Sequence, residues 1–342
     1  MININLYTFD CYTALSMTLN KNMRKPVCKL CLVVIVLFVR CQADEEIRID
    51  LERQPDNVEL FGEGIISTGM YERDIAISPD GDEIIYTMGD YSHSIGVLVR
   101  LVKQDGKWGK RQIVSFSGEY RDIEPFISVL GDKLYFASDR PIYGDTNRND
   151  YNIWVSGKTD SGWAEPSPLN PSINTGGNEY YPSVSKNGNL YFTAVREKGI
   201  GGEDIFISRY INGKYVSPQP LDTAINTKSG EFNAYVSPGE DLLIFSSFGR
   251  DDDIGRGDLY YSRKDENGKW VKAENMGKGI NSERLDYCPF IDVPRGNLYF
   301  TSSRKATAPV KIEKIKDLLE YSESAENGMG SIYRLNINML EY

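Results

Sequence analysis

Residues 190–245 read LYFTAVREKGIGGEDIFISRYINGKYVSPQPLDTAINTKSGEFNAYVSPGEDLLIF, and this stretch decides the fold because it ends as it began. Leu190-Tyr191-Phe192 is a short apolar strand, and Leu243-Ile244-Phe245 is its copy 53 residues further on. Between them lie a Gly-rich loop, a strand at Ile205-Phe206-Ile207, a turn closing on Tyr215, an outer strand, and a strand running into the turn SPGED. Short apolar runs punctuated by Gly, Pro, Asn and Asp read as antiparallel hairpins.

The same unit extends in both directions. Ile84-Ile85-Tyr86, Leu134-Tyr135-Phe136 and Leu298-Tyr299-Phe300 complete a set whose first residues are spaced 50, 56, 53 and 55 apart. Each follows a turn (SPDGDE, SVLGDK, SKNGN, SPGED, VPRGN) and precedes a third strand, as at Ile153-Trp154-Val155, Leu259-Tyr260-Tyr261 and Ile332-Tyr333. Four antiparallel strands in a repeat of this length make a propeller blade. A blade covers both faces of its twisted sheet only by stacking against neighbours in a ring.

The ends of the array predict how the ring closes. Ile173, Ile225 and Ile280 each stand six residues before the acid that opens the next repeat, and Ile66 stands six before Glu72 with no repeat ahead of it. Val58–Thr68 therefore reads as an orphan outer strand, and the last repeat lacks one. The prediction is an all-β, five-bladed β-propeller of four-stranded antiparallel blades over residues 58–342, closed by the N-terminal outer strand on the last blade. Residues 44–57 read as a linker. Residues 305–328 interrupt the last repeat, and within them KIEKIKDLLEY spaces Ile312, Ile315, Leu318 and Leu319 as a short helix on the loop face.

The elements Glu179-x-x-Pro182, Ser78-Pro79-Asp80-Gly81, Leu298 through Arg304, Gly202-Glu203-Asp204-Ile205-Phe206 and Ile173-Asn174-Thr175 resemble the WD40-like propeller repeat of TolB-type exported bacterial proteins. The resemblance covers about residues 60–340 and implies the fold. TolB itself joins a six-bladed ring to an N-terminal domain, and this chain carries neither, so the resemblance does not extend to partners. A propeller hosts many functions.

Residues 23–43, MRKPVCKLCLVVIVLFVRCQA, place Arg24, Lys25 and Lys29 before an apolar run from Leu30 to Val39. A run this short fits a signal-peptide core rather than a membrane span. Residues 1–43 are read as a leader, with Met23 as the expected start. Cys41 resembles the lipidated cysteine of bacterial lipoproteins, although Arg40 departs from the small residue expected there. Cleavage before Asp44, giving a soluble secreted protein, and retention as an uncleaved anchor stay open. QADEE after the apolar run resembles a surface-export tag. Each route implies export, with the periplasm, outer membrane or cell surface as destination and the membrane reached only through such an anchor.

The net charge is −10; residues 1–40 carry five of the basic residues and one of the acids, so the remainder stands at −14. Such a body repels phosphate backbones, which argues against nucleic acid as a partner. Of Cys11, Cys28, Cys31, Cys41 and Cys288, only Cys288 falls in the repeats, so no disulfide framework is expected there.

Two sets of residues recur with the repeat: the acids Glu72, Asp122, Glu179, Glu231 and Asp286, and the arginines Arg140, Arg196, Arg250 and Arg304. They predict a charge-paired ring near the central channel, and recurrence in every blade argues for a structural role. In the first repeat Asp90 stands in the arginine position beside His93, the single histidine, and this sector is the candidate ligand contact. Oxygen-rich loops at Asp145, Asn147, Asn149 and Asp150, and at Asp251, Asp252, Asp253 and Asp258, are weak calcium candidates that fit plain turns better. No cofactor is expected, and one histidine cannot build a multi-histidine metal site. Two functions follow: a non-catalytic, monomeric propeller binding an envelope protein or glycan, or a carbohydrate-active hydrolase using carboxylates in the central funnel.

Overall fold

The computed structural model describes residues 47–306 and 311–339, and within them the chain is a ring of five small antiparallel sheets, a five-bladed β-propeller. The leader, with Met23 and Cys41, lies outside the described residues. From the inside outward, blade one holds Tyr71–Ile77, Glu83–Gly89, Gly96–Gln104 and Gln112–Ile113. Blade two holds Asp122–Ile127, Lys133–Ser138, Asn152–Thr159 and Ser167–Pro168. Blade three is Glu179–Val184, Leu190–Ala194, Asp204–Ser208 and Gln219–Pro220; blade four is Gly230–Val236, Leu242–Phe248, Asp258–Arg263 and Glu274–Asn275.

Blade five closes the ring as the orphan strand predicts. Asp286–Asp292, Asn297–Ser302 and Ser331–Asn336 take Glu59–Leu60 as their outer strand, with Glu59 opposite Arg334 and Leu60 opposite Tyr333. Arg334 Nε donates to Glu59 Oε1 at 2.9 Å across this seam. Ser67 Oγ accepts from Ile332 N at 3.0 Å, the place that the amides of Asn174, Asn226 and Asn281 hold for Ile153, Ile205 and Leu259 in blades two, three and four. The apolar second strands fill the gaps between blades, with Tyr86, Phe136, Phe192, Phe245 and Phe300 all fully buried. Burial of that kind stabilises by about 2 kcal/mol for each large side chain.

Residues 47–57 are not a linker. Trp108 Nε1 donates to Ile49 O at 3.0 Å, Asn297 Nδ2 donates to the carbonyls of Leu51 and Arg53 at 3.1 Å, and Asn336 N donates to Pro55 O at 2.8 Å. With Leu51 buried, the segment straps the seam between blades five and one. Its backbone carbonyls would otherwise go unmatched, and the strap matches them with donors from both sides.

The insertion forms a helix, Ile315–Glu323, beside residues 307–310, which lie outside the described residues. It approaches blade one through backbone: a Cβ on Gly69 would stand 2.5 Å from Glu323 Cα, and Asn327 Nδ2 donates to Gly69 O at 3.2 Å. Ile315, Leu318 and Leu319 remain exposed. Among the described residues no helix is long and apolar enough to cross a membrane.

Candidate functional site

The repeated acids sit at the start of each inner strand, and none reaches solvent: Glu72, Asp122, Glu179, Glu231 and Asp286 are all 0% exposed. In blade four, Glu231 accepts from Thr227 N at 2.8 Å, Thr227 Oγ1 at 2.7 Å and Arg250 Nη2 at 3.0 Å, and Arg250 also donates to Ile225 O at 2.6 Å. Blade five repeats this with Ser282, Arg304 and Ile280, and blade three with Thr175, Arg196 and Ile173. In blade two Arg140 Nη2 meets Asp122 Oδ1 at 2.6 Å. Each guanidinium lies over the aromatic ring of its own second strand: Phe136 at 5.3 Å, Phe192 at 4.9 Å, Phe245 at 5.2 Å and Phe300 at 5.3 Å. A planar cation that stacks and bonds at its edge is a role for arginine, not lysine. These groups form a latch that pins the incoming connection to the blade. Burial pushes the carboxyls of Glu72, Asp122 and Glu179 up, against the pull of their donors.

Blade one has no arginine at the position the other blades use. Arg111, directly before its outer strand, stands near Glu72 instead, lowering that carboxyl's pKa against burial, and bonds with the Tyr86 hydroxyl. Glu72 is held by Thr68 through N at 3.0 Å and through Oγ1. Tyr86 replaces the phenylalanine, and its hydroxyl donates to Ile65 O at 3.5 Å, toward the carbonyl region the arginines reach elsewhere. Asp90 is turned into its own loop, accepting from Ser92 Oγ, from Ser94 Oγ at 2.7 Å and from Ile95 N at 2.9 Å. Those donors, Ser92 first, hold its carboxyl well below the usual range. It is not a surplus carboxylate facing a ligand.

The axis belongs to a second ring, two residues after each acid. Asp74, Glu124, Tyr181, Asn233 and Cys288 occupy the bulge of each inner strand with φ of 58°, 60°, 50°, 49° and 54°. A left-handed non-glycine residue is strained by about 1 kcal/mol or more. Hydroxyls of the neighbouring blade hold the bulges, since Asp74 N, Glu124 N and Asn233 N donate to Thr301, Thr87 and Thr193 at 3.2, 3.0 and 3.0 Å. Blade two offers Ala137 in that position, and Tyr181 N turns instead to Glu124 Oε2 at 2.7 Å. Glu124 Oε1 accepts from Arg73 Nη2 at 2.7 Å and Asn233 Nδ2 at 3.1 Å. Arg73 Nε lies 2.7 Å from Asp74 Oδ2, and Tyr181 Oη donates to Pro289 O at 2.9 Å. Side chains from different blades thus bond to one another across the axis. Burial pushes the Glu124 carboxyl up to about 7 although Arg73 opposes it, and burial likewise raises the Cys288 thiol.

Above this floor the loop face opens into a funnel of about 400 Å³, within the range of roughly 300–1,000 Å³ typical of small-ligand sites. Its wall comes from the residues directly flanking the acids: Arg73, Ile123, Tyr180, Phe232 and Tyr287 after them, Tyr71, Arg121 and Leu285 before. His93, Tyr151 and Glu203 complete the rim. Tyr151 and Tyr180 stand 5.2 Å apart, Arg121 lies 5.1 Å over Tyr151, Arg73 lies 5.1 Å over Tyr287, and His93 meets Tyr71 edge-on at 4.9 Å. Arg121 Nε is paired with Asp139 at 2.6 Å. The Glu203 carboxylate has no hydrogen-bond or ion-pair partner among the described residues, and burial raises its pKa with Arg73 opposing. Burial, then Arg73, lowers the His93 pKa, leaving a neutral imidazole at the rim near pH 7. The opposite mouth is a smaller, apolar cavity of about 160 Å³ lined by residues such as Ile77, Phe126, Tyr235 and Phe290. Its walls carry little chemistry for recognising a polar ligand.

Of the acids, arginines, Asp90 and His93 expected at the channel, only His93 lines the funnel. The acids and arginines come together as pairs, but inside the blades, where they are spent on the latch. Among the described residues no group of three or more His, Cys, Asp or Glu is placed to hold a metal. The oxygen-rich loops are engaged internally: Asp150 pairs with Arg148, Asp252 and Asp253 accept from Tyr260 Oη at 2.8 Å, and Asp258 accepts from Ile254 N and Gly255 N.

No protein-family model matches the chain, and no curated protein does. Solved structures similar to it include a TolB from Agrobacterium tumefaciens, with 15% identity, TM-score 0.46, and 78% of this chain and 90% of that one covered. An α-L-arabinofuranosidase from Lactobacillus brevis matches at 11% identity and TM-score 0.44, with 80% and 92% covered. A GH43 endo-arabinanase from Bacillus licheniformis matches at 12% identity and TM-score 0.44, with 78% and 93% covered. These are likenesses of fold. The class the coordinates define is a five-bladed propeller with a bonded axis under a polar, aromatic funnel.

Proposed function

We propose that this protein is a non-catalytic binding module of the bacterial cell envelope that receives a glycan in the loop-face funnel. The observation that carries this reading is the funnel wall, where the half-buried rings of Tyr151, Tyr180 and Phe232 line the same funnel as a half-buried, unpaired carboxylate, Glu203, while the buried Tyr71 and Tyr287 hydroxyls bond to each other behind them. Aromatic faces stack on sugar rings while tyrosine hydroxyls and a free carboxylate bond to sugar hydroxyls. Export, with the periplasm or outer membrane as destination and Cys41 as a lipid anchor, is supported by the basic and apolar leader at 23–43.

The alternative, a hydrolase, needs two carboxyl groups presented to one glycosidic bond. Glu124 and Glu203 both line the funnel, and this favours keeping that reading in the test. Both oxygens of Glu124 already accept hydrogen bonds from the floor, which supports binding over hydrolysis. The test is isothermal titration of the full-length protein against a panel of oligosaccharides, with product analysis on the same mixtures. Binding without turnover, lost in Tyr180→Ala, is expected. Turnover abolished by Glu124→Gln or Glu203→Gln would favour the hydrolase, and no binding across the panel would overturn both readings.

A further inference from the structure

We infer that the funnel takes its ligand by a protonated primary amine, and that the ligand is an amino-bearing saccharide. This rests on the glycan-binding reading above and adds the chemical group that is recognised.

The first observation is the charge balance. Around the funnel and its floor two guanidiniums, Arg73 and Arg121, face the carboxyls of Asp74, Glu124, Asp139 and Glu203, and with Glu124 in its favoured protonated form one negative charge remains in surplus. Arg73 is held by Asp74 and Glu124, and Arg121 by Asp139. Glu203 is left over. An anionic ligand would meet this surplus unfavourably, and a neutral one would leave it uncompensated in a partly desolvated site.

The second observation is where Glu203 stands. Its backbone carbonyl accepts from Glu231 N at 2.9 Å, which fixes it beside Phe232, and its charge is felt by the Tyr180 hydroxyl, whose pKa it helps to raise after burial. Among the funnel rings, Tyr287 and Tyr151 already lie under guanidiniums of the chain. No cation of the described residues stands over Tyr180 or Phe232. A carboxylate next to two unclaimed aromatic faces is the arrangement that selects a compact organic cation, by direct charge attraction and by the ring quadrupoles together. One free carboxylate without further anionic ligands is a poor seat for a divalent metal, which asks for several oxygens at once. The wall suits a hydroxylated ring carrying the amine better than an aliphatic side chain, because the phenols of Tyr151 and Tyr180 add hydrogen-bonding edges, those of Tyr71 and Tyr287 being bonded to each other.

The experiment titrates the full-length protein at mildly acid pH and low salt with four probes: fully deacetylated chitosan hexamer, its N-acetylated counterpart, cellohexaose, and hexalysine. The deacetylated hexamer should bind tightest and weaken as salt is added. Glu203→Gln should lower its affinity about tenfold, to the level of the acetylated hexamer, with an unchanged melting temperature because no described residue is bonded to or paired with that carboxylate. Equal binding of the three saccharides, indifferent to Glu203→Gln, would overturn the amine and leave glycan binding intact. Binding of hexalysine alone would overturn the saccharide. Failure of every probe would overturn both.

Discussion

The acid of each latch and the residues of the funnel wall stand side by side in every repeat and have opposite characters. The acid is identical in role from blade to blade, fully buried, and bonded within its own blade and the connection leading into it. The residues beside it differ in every blade: Arg73-Asp74, Ile123-Glu124, Tyr180-Tyr181, Phe232-Asn233 and Tyr287-Cys288. A ring of equal blades needs equal fasteners, so repetition marks what holds the blades. A site on the axis needs five unlike groups converging on one ligand, so variation marks what the ring is used for. Substitutions in the two rings should therefore separate stability from binding.

The largest stability effect is expected in the latch. Arg250→Ala would leave Glu231 buried with its cation gone and uncover the faces of Phe245 and Tyr260. Breaking a buried pair from one side costs about 3–5 kcal/mol. Calorimetry should show the melting temperature falling by several degrees, while saccharide affinity measured well below the transition stays within about twofold of the parent. Equal stability in the variant would mean the pair contributes nothing to the ring.

This division also governs what could be read from the sequence. The five blades and their closure were legible because anchors, turns and the orphan strand recur at a fixed period. The acid–arginine pairs were legible for the same reason, but recurrence says nothing about direction, and they were expected at the channel when they lie inside the blades. Glu124, Arg73 and Tyr180 were hidden in plain view at the two positions directly after each repeated acid, where the signal is the lack of repetition. Glu203 comes from a different place, directly before the third strand of blade three, where blades four and five carry Gly257 and Gly330. Residues 47–57 looked like a linker because they offer only carbonyls to Trp108, Asn297 and Asn336, and a backbone acceptor leaves no mark on the sequence. The apolar spacing of the insertion foretold a helix without telling which way its apolar face would point.

The second effect is a pH dependence at the floor. The Glu124 carboxyl stands at about 7 in the folded protein against an ordinary 4.5, so its protonated form is the one the fold favours. Its contribution is present in full below pH 4.5 and is lost as pH rises through 7. Glu124→Gln cannot ionise and should remove that part of the slope. The parent minus variant difference in unfolding free energy should therefore fall steadily from pH 4.5 to 8. A difference that is flat over this window would mean the axis does not strain the carboxylate.

A smaller stability change, under about 1 kcal/mol, is expected for Tyr180→Ala, whose ring is half-buried at the funnel wall. Its effect should appear in ligand titration instead, as loss of measurable saccharide binding at concentrations that saturate the parent. The inverse outcome, a large drop in melting temperature with binding retained, would move Tyr180 from the variable ring to the structural one.

The least effect should come from the one latch whose arginine, Arg111, comes from the approach to the outer strand. Tyr86→Phe removes the hydroxyl that reaches Ile65 O at 3.5 Å and restores the residue type found in the other four blades. A hydrogen bond that long contributes little, so the loss should stay below about 1 kcal/mol. Set beside Arg250→Ala, this measures how much of the blade-one latch resides in the Tyr86 hydroxyl rather than in a cation. Blade one keeps the acid, the threonine and the aromatic ring and draws its guanidinium from Arg111, and its loop turns Asp90 inward on Ser92 and Ser94 while carrying His93 to the funnel rim. If Tyr86→Phe proves as damaging as Arg250→Ala, the hydroxyl has taken over the fastening role in full. If it is silent, Arg111 beside Glu72, with the seam strap at 47–57 and the shared outer strand Glu59–Leu60, holds this blade without the hydroxyl.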